Sequence, residues 1–131
     1  MIYILDTNIC IYLLNGNKKI EAKIKSIGIY SIAITNTVLA ELYFGAYNSA
    51  KVKDNLSRID EFRKNLTVIQ EDAESSRLFG KIKAELKISG NLIDDFDILI
   101  ASIALANDCT IVTNNENHFK RIKKLPLVNW Y

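Results

Sequence analysis

The sequence predicts an α/β fold, a three-layer α/β/α sandwich around a mostly parallel central sheet, built as one domain over residues 1–131. Three observations carry this. Short apolar runs alternate with segments of helical period, the signature of strands joined by helical crossovers. The first run, Ile2 to Leu5, is apolar without interruption, as in a strand buried on both faces of a parallel sheet, and it stops at a carboxylate, Asp6. Finally, 131 residues of which 49% are hydrophobic supply one sizeable core and leave no length for a second domain.

After the first strand, Ile9, Tyr12 and Leu13 follow helical spacing, and Asn15-Gly16-Asn17 closes that short helix. Ile20, Ile24 and Ile27 mark a second amphipathic helix, with Lys18, Lys19, Lys23 and Lys25 largely off its apolar stripe. Tyr30 to Ile34 is the next predicted strand. Thr35, Asn36 and Thr37 all offer a cap for a third helix carrying Val38, Leu39, Leu42 and Ala46. A fourth helix follows from Val52, Leu56, Ile59 and Phe62, and a strand from Leu66 to Ile69. Phe79, Ile82 and Leu86 define a long helix that Gly90 stops. Asp94 to Ala106 is apolar nearly all round, hence a buried helix. Cys109 to Thr113 is a strand, Asn114 to Lys123 a polar loop with one helical turn, and Leu127 to Trp130 an edge strand after Pro126.

Composition narrows the function classes. With 17 basic and 15 acidic residues the net charge of +2 neither demands nor excludes a nucleic-acid partner. Cys10 and Cys109 stand in no ligand-like spacing, which argues against structural zinc and for two buried thiols in a reducing cytosol. No signal peptide is visible at the start, and the longest apolar stretch, Ile98 to Ala106, falls far short of the ~20 residues a membrane span needs. The expectation is a soluble, cytoplasmic protein.

Three acids stand where the chemistry belongs. In open parallel sheets, ligands bind beyond the carboxyl ends of the strands. Asp6 lies at that end of the first strand, and Thr113, Asn114 and Asn115 at that end of the Cys109–Thr113 strand. Glu41 interrupts the apolar segment Val38 to Phe44, and Asp97 interrupts Phe96 to Ala101. A lone buried carboxylate costs several kcal/mol unless it is paired or binds a cation. No Lys or Arg occurs between Asn91 and Thr113, so Asp97 has no local ion-pair partner, while Asp94 shares its helix face three residues away. Carboxylates converging without a basic neighbour call for a hard cation such as Mg²⁺ or Mn²⁺. Such an ion supports phosphodiester hydrolysis. The single histidine, His118, leaves no pair for a metal-free acid/base route.

Five segments in series resemble a known family. Ile4-Leu5-Asp6-Thr7-Asn8 resembles the opening of PIN domains. Val38 to Leu42 with Phe44-Gly45, and Phe96 to Ala101, resemble the second and third motifs. Ile111 to Asn115 with His118-Phe119, and the closing Asn129-Trp130, are similar to the end of VapC-type toxins. The resemblance implies a Mg²⁺- or Mn²⁺-dependent endoribonuclease. It also implies a homodimer that cleaves structured RNA, tRNA among its targets, and that a cognate VapB-type antitoxin neutralises. Carried over residue by residue, Asp6, Glu41 and Asp97 match the catalytic and metal-site acids, and Thr7 and Asn8 the small polar residues beside the first aspartate. The family frequently has a fourth acid after the last motif strand. Here those positions hold Asn115 and His118 with Glu116 between them, leaving Asp94 as another source of charge and one or two ions as open alternatives.

Bland readings stand beside these. Asp6 caps a helix as readily as it binds an ion, Glu41 can reach solvent from its helix, and Asp97 suits a helix N-terminus. Thr113 and Asn115 serve equally as turn residues, and His118 as an exposed loop histidine. Lys120, Arg121, Lys123 and Lys124 form either an RNA phosphate contact or a solvated run. Tyr43, Phe44 and Tyr47 fit a dimer or antitoxin patch, with core packing the alternative for Phe44. Two rival functions are an RNA-processing PIN nuclease without an antitoxin and a non-catalytic RNA- or protein-binding module.

Overall fold

The computed structural model describes residues 1–131 and contains five strands and seven α-helices. In chain order these are β1 (Tyr3–Leu5), α1 (Thr7–Leu14), α2 (Lys18–Ile27), β2 (Ile32–Thr35), α3 (Asn36–Tyr47), α4 (Val52–Lys64) and β3 (Thr67–Ile69). There follow α5 (Ala73–Ile88), α6 (Asp95–Ala106), β4 (Thr110–Val112), α7 (Glu116–Phe119) and β5 (Leu127–Val128). The sheet order is β3-β2-β1-β4-β5 and every pairing is parallel. The chain therefore steps outward from β1 to β3 and then returns to the other side of β1 for β4. Right-handed crossovers travelling in opposite directions put the intervening helices on opposite faces, which makes the three layers.

Burial follows strand position. Interior strand β2 is buried throughout and β1 and β4 nearly so, whereas edge strands β3 and β5 hold no fully buried residue. The core gathers Ile4, Leu5, Ile34, Ile98, Ile100, Ile103 and Ile111, all fully enclosed. Truncating one of these isoleucines to alanine costs about 2–5 kcal/mol.

Helix ends follow local chemistry. Thr35 wins the competition for the α3 cap, its hydroxyl accepting from Val38 N–H at 3.1 Å. Asp72 and Ser75 exchange bonds in a capping box that starts α5. Gly90, with φ +73°, follows the end of α5, a conformation that favours glycine. Ser102 is buried inside α6, and its hydroxyl donates to Ile98 C=O at 2.6 Å.

Several boundaries differ from the sequence expectation. Asp94 caps α6 instead of belonging to it, accepting from Phe96 N–H at 3.3 Å. Tyr30, expected to open a strand, is in a 3₁₀ turn and 95% exposed, because the chain straightens only at Ile32. The last strand holds only Leu127 and Val128, the two residues in register with β4. Trp130 leaves the sheet but stays buried, its ring 5.1 Å from that of Tyr3.

Candidate metal centre

The β1–β4 register sets the site. Leu5 pairs with Val112, so the next residues of the two strands, Asp6 and Thr113, emerge side by side at the carboxyl end of the sheet. Asp6 N–H still donates to Val112 C=O at 2.9 Å, and Thr113 N–H donates to Val128 C=O at 3.0 Å. Both side chains are buried, and the Thr113 hydroxyl donates to Asp6 Oδ2 at 2.7 Å. The other carboxylate oxygen, Oδ1, accepts from Thr7 N–H at 2.8 Å and so caps α1. Capping and site membership are thus compatible roles for Asp6. Asn8 Nδ2 adds a long bond to Oδ2 at 3.4 Å.

Glu41 arrives from the second turn of α3, on the flank of the face that buries Thr37, Val38 and Leu42. Its Oε1 accepts from the Thr7 hydroxyl at 2.8 Å. Thr7 therefore holds two acids at once, Asp6 through its backbone N–H and Glu41 through its side chain. Asp97 lies in the first turn of α6 with its side chain 17% exposed. Its Oδ2 lies 3.3 Å from His118 Nδ1, and that nitrogen lies 2.8 Å from Asn115 Nδ2. A ring nitrogen donates or accepts but does not do both, so these two contacts compete. Asn115 N–H donates to the Thr113 hydroxyl at 2.8 Å. Hydrogen bonds thus link Glu41, Thr7, Asp6, Thr113 and Asn115 in series, and His118 closes on Asn115 or on Asp97 according to which nitrogen carries its proton.

All three acids are harder to ionise than usual. Burial pushes the Asp6 carboxyl up, against the bonds from Thr113 and Thr7, and the charge of Asp97 adds to the rise. Burial also raises Glu41, opposed by Thr7 and reinforced by the charges of Asp6, Asp97 and Asp94. Asp97 is raised by burial and by Asp94, with His118 working the other way. No lysine or arginine forms an ion pair with any of the three; the sole partner of opposite potential charge is His118.

The chain matches the PIN domain family model over residues 3–125. The chain belongs to the PIN-domain family. Within it, the VapC type is the near relation. "Ribonuclease VapC2" of Rickettsia felis is 42% identical, covering 99% of this chain and 98% of that one. "tRNA(fMet)-specific endonuclease VapC" of Shigella flexneri is 32% identical, covering 98% of this chain and 97% of that one. The crystal structure of VapBC2 from Rickettsia felis bound to a promoter DNA fragment superposes with a TM-score of 0.94 at 40% identity, covering 100% of both chains.

In this PIN domain the remaining residues singled out from the sequence separate. Thr7, Asn8, Thr113 and Asn115 join the contact chain around the acids. Asp94 is exposed, caps α6 and reaches the others only through its charge. Glu116 lies 4.0 Å from Lys120, at the other side of the short helix α7. Arg121 donates to Leu92 C=O at 3.1 Å, so the basic cluster splits, and this member clamps the loop before α6. Phe44 is 71% exposed and Tyr47 67%, which overturns core packing for Phe44. His118 is the residue that sequence reasoning undervalued. The only signal was its place three residues beyond Asn115, one helical turn, on a segment expected to be loop.

The donor set suits a hard cation. Every candidate ligand is a carboxylate oxygen, desolvated and short of positive charge. No group of three acidic, histidine or cysteine side chains closes into a cage. Mg²⁺ does not require one, since it is commonly held by one or two carboxylates and retained waters.

Proposed function

We propose that this chain is a metal-dependent endoribonuclease, the toxin of a toxin–antitoxin pair, that hydrolyses phosphodiester bonds in structured RNA. The observation that carries the reading is the gathering of Glu41 and Asp6 on Thr7, with Asp97 beside His118 and Asn115 at the same end of the sheet, three acids from distant segments with no lysine or arginine ion-paired to them. The relatives support it by name: they are ribonucleases, and two of those named for a substrate are specific for tRNA(fMet). Solved neighbours are VapBC toxin–antitoxin complexes.

In this reading Asp6 and Asp97 hold Mg²⁺ or Mn²⁺, and Glu41 holds it directly or through water. When bound, the ion offsets the carboxylate repulsion, draws a phosphate oxygen of the RNA and eases deprotonation of water. The protein's own part is positional. Thr113 and Thr7 fix the Asp6 carboxylate at both oxygens, and His118 fixes Asp97 when its Nδ1 carries the proton. Glu41, held at Oε1 by the Thr7 hydroxyl, accepts the proton of the attacking water through its carboxylate. Hydrolysis breaks the P–O3′ bond and leaves a 5′-phosphate and a 3′-hydroxyl. A cleft of about 220 Å³ is lined by Ile11, Leu14, Leu42 and Ile59 with Glu41 in its wall, and Phe44 and Tyr47 are exposed on the same helix, α3. That apolar surface is where an antitoxin or a second copy of the chain is to be sought. No helix is long and apolar enough to cross a membrane.

The test is purified protein on total RNA with cut ends sequenced, in Mg²⁺, in EDTA and with Asp97→Asn. Cutting in Mg²⁺ alone, with 5′-phosphate ends, supports the reading. Equal cutting in all three refutes it.

A further inference from the structure

Beside the acids lies a polar and aromatic surface that the hydrolytic chemistry does not use. Tyr12 of α1 and Tyr131 stack, ring centroids 4.1 Å apart and planes 25° from parallel. Tyr131 is held in place at its backbone: its N–H donates to Asn129 Oδ1 at 2.9 Å and its C=O accepts from Lys19 Nζ at 3.0 Å. Even so, 53% of Tyr131 remains open. The Tyr12 hydroxyl accepts from Asn114 Nδ2 at 3.2 Å, and Asn114 Oδ1 accepts from Asn129 Nδ2 at 3.0 Å. Asn114 N–H in turn donates to Asn8 Oδ1 at 3.2 Å, and Asn8 is the residue that reaches Asp6. The stacked pair is therefore tied to the carboxylate site through two asparagines.

Two shallow depressions meet at Asn129. One, of about 300 Å³, has no hydrophobic lining residue and includes Asn114, Asn117 and Lys120. The other, of about 420 Å³, includes Lys19 and Lys23 of α2. Together they make a track with lysines in each half and amides along it, the Glu116 carboxylate among them, and Tyr131, bonded to Asn129 and Lys19, stands beside their junction. Lys23 is in no ion pair, and Lys120 has only its loose 4.0 Å partner Glu116.

We infer that this track binds an unpaired stretch of the RNA next to the bond that is cut, with a nucleobase stacked on Tyr131. This rests on the ribonuclease reading above. An open aromatic ring recruits a base of any sequence, amides offer both donor and acceptor to a base edge, and flanking ammonium groups take phosphates. A double helix keeps its bases stacked on each other and has none to give the ring. The track thus selects loops and single strands over duplex, and it sets where the scissile phosphate falls relative to Asp6.

The experiment is binding in EDTA, so that cleavage plays no part. The probe is a short single-stranded RNA of mixed sequence carrying 2-aminopurine, with its blunt duplex as comparison. Wild type is expected to quench the 2-aminopurine and to prefer the single strand. Tyr131→Ala is expected to lose the quench and to weaken binding by about 5- to 100-fold, with Tyr131→Phe close to wild type. Lys23→Ala with Lys120→Ala, which leaves the ring alone, should flatten the salt dependence of log affinity by ~0.7 for each phosphate no longer neutralised. Unchanged affinity in Tyr131→Ala, or equal binding of duplex and single strand, overturns the inference. The ribonuclease reading fails separately, by wild type not cutting RNA in Mg²⁺.

Discussion

Thr113→Val keeps the shape of a buried side chain and deletes one hydroxyl. That hydroxyl donates to Asp6 Oδ2 at 2.7 Å and accepts from Asn115 N–H at 2.8 Å. A hydrogen bond to a charged group contributes about 1.5–3 kcal/mol, roughly twice a neutral one. With ~2.1 cal/mol/K of unfolding entropy per residue, a loss of ~2 kcal/mol lowers Tm by about 7 °C in a chain of 131 residues. The deficit depends on pH, and its sign follows from Asp6. The folded-state carboxyl sits above the ordinary carboxylate range because it is buried. Between the unfolded value and the raised folded value the native protein holds the extra proton, so this group's contribution to stability falls as pH rises through that window. Above the window Asp6 is ionised and depends most on the Thr113 donor; below it the protonated carboxyl depends on it least. The Thr113→Val deficit should therefore be largest near neutral pH and shrink on acidification. Calorimetric Tm values of both proteins in EDTA across that range measure it. A deficit of the same size at every pH, or no deficit at neutral pH, would refute the account of Asp6 as a buried carboxylate held by Thr113.

Asp97→Asn removes a desolvated charge and its repulsion with Asp94, so the metal-free variant should be more stable at neutral pH, on the order of 0.5–2 kcal/mol by urea denaturation, while losing cleavage. Mg²⁺ or Mn²⁺ at a hundred times its dissociation constant should stabilise wild type by about 2.7 kcal/mol, seen as a Tm rise reversed by EDTA and absent in Asp97→Asn. Thr35→Ala deletes the α3 cap bond to Val38 and should cost about 1–2 kcal/mol in a denaturant titration. Because α3 carries Glu41, cleavage should fall in the same variant.

The elements with one clear period were legible in the sequence. β1, β2 and β4 announced themselves as short apolar runs, and α6 as a helix apolar all round, because each is buried and burial fixes composition. Asp6, Glu41 and Asp97 stood out for the complementary reason: a charge in an apolar run is expensive and needs a purpose. What the sequence withheld is what tertiary packing decides. Tyr30 is aromatic, a residue type common in strands, yet it faces solvent because the 3₁₀ turn intervenes before β2. Thr35, Asn36 and Thr37 cap equally well on paper, and only the end of β2 selects Thr35. The place of His118 depends on α7 packing beside α6, a meeting of segments about twenty residues apart in chain order. The Tyr12–Tyr131 pair joins opposite ends of the chain, and no local pattern encodes such an encounter.

The sheet order has a consequence for a shortened chain. A chain synthesised or cut only as far as Asp108 already carries Asp6, Glu41 and Asp97, but it lacks β4, whose neighbour Thr113 lies beside Asp6 across 107 positions of sequence. Pairings of such long range carry the largest loop-closure cost. A chain clipped there thus keeps the three carboxylates but loses the Thr113 hydroxyl and the strand beside Asp6, so on the reading proposed above it should neither hold the ion nor cut RNA.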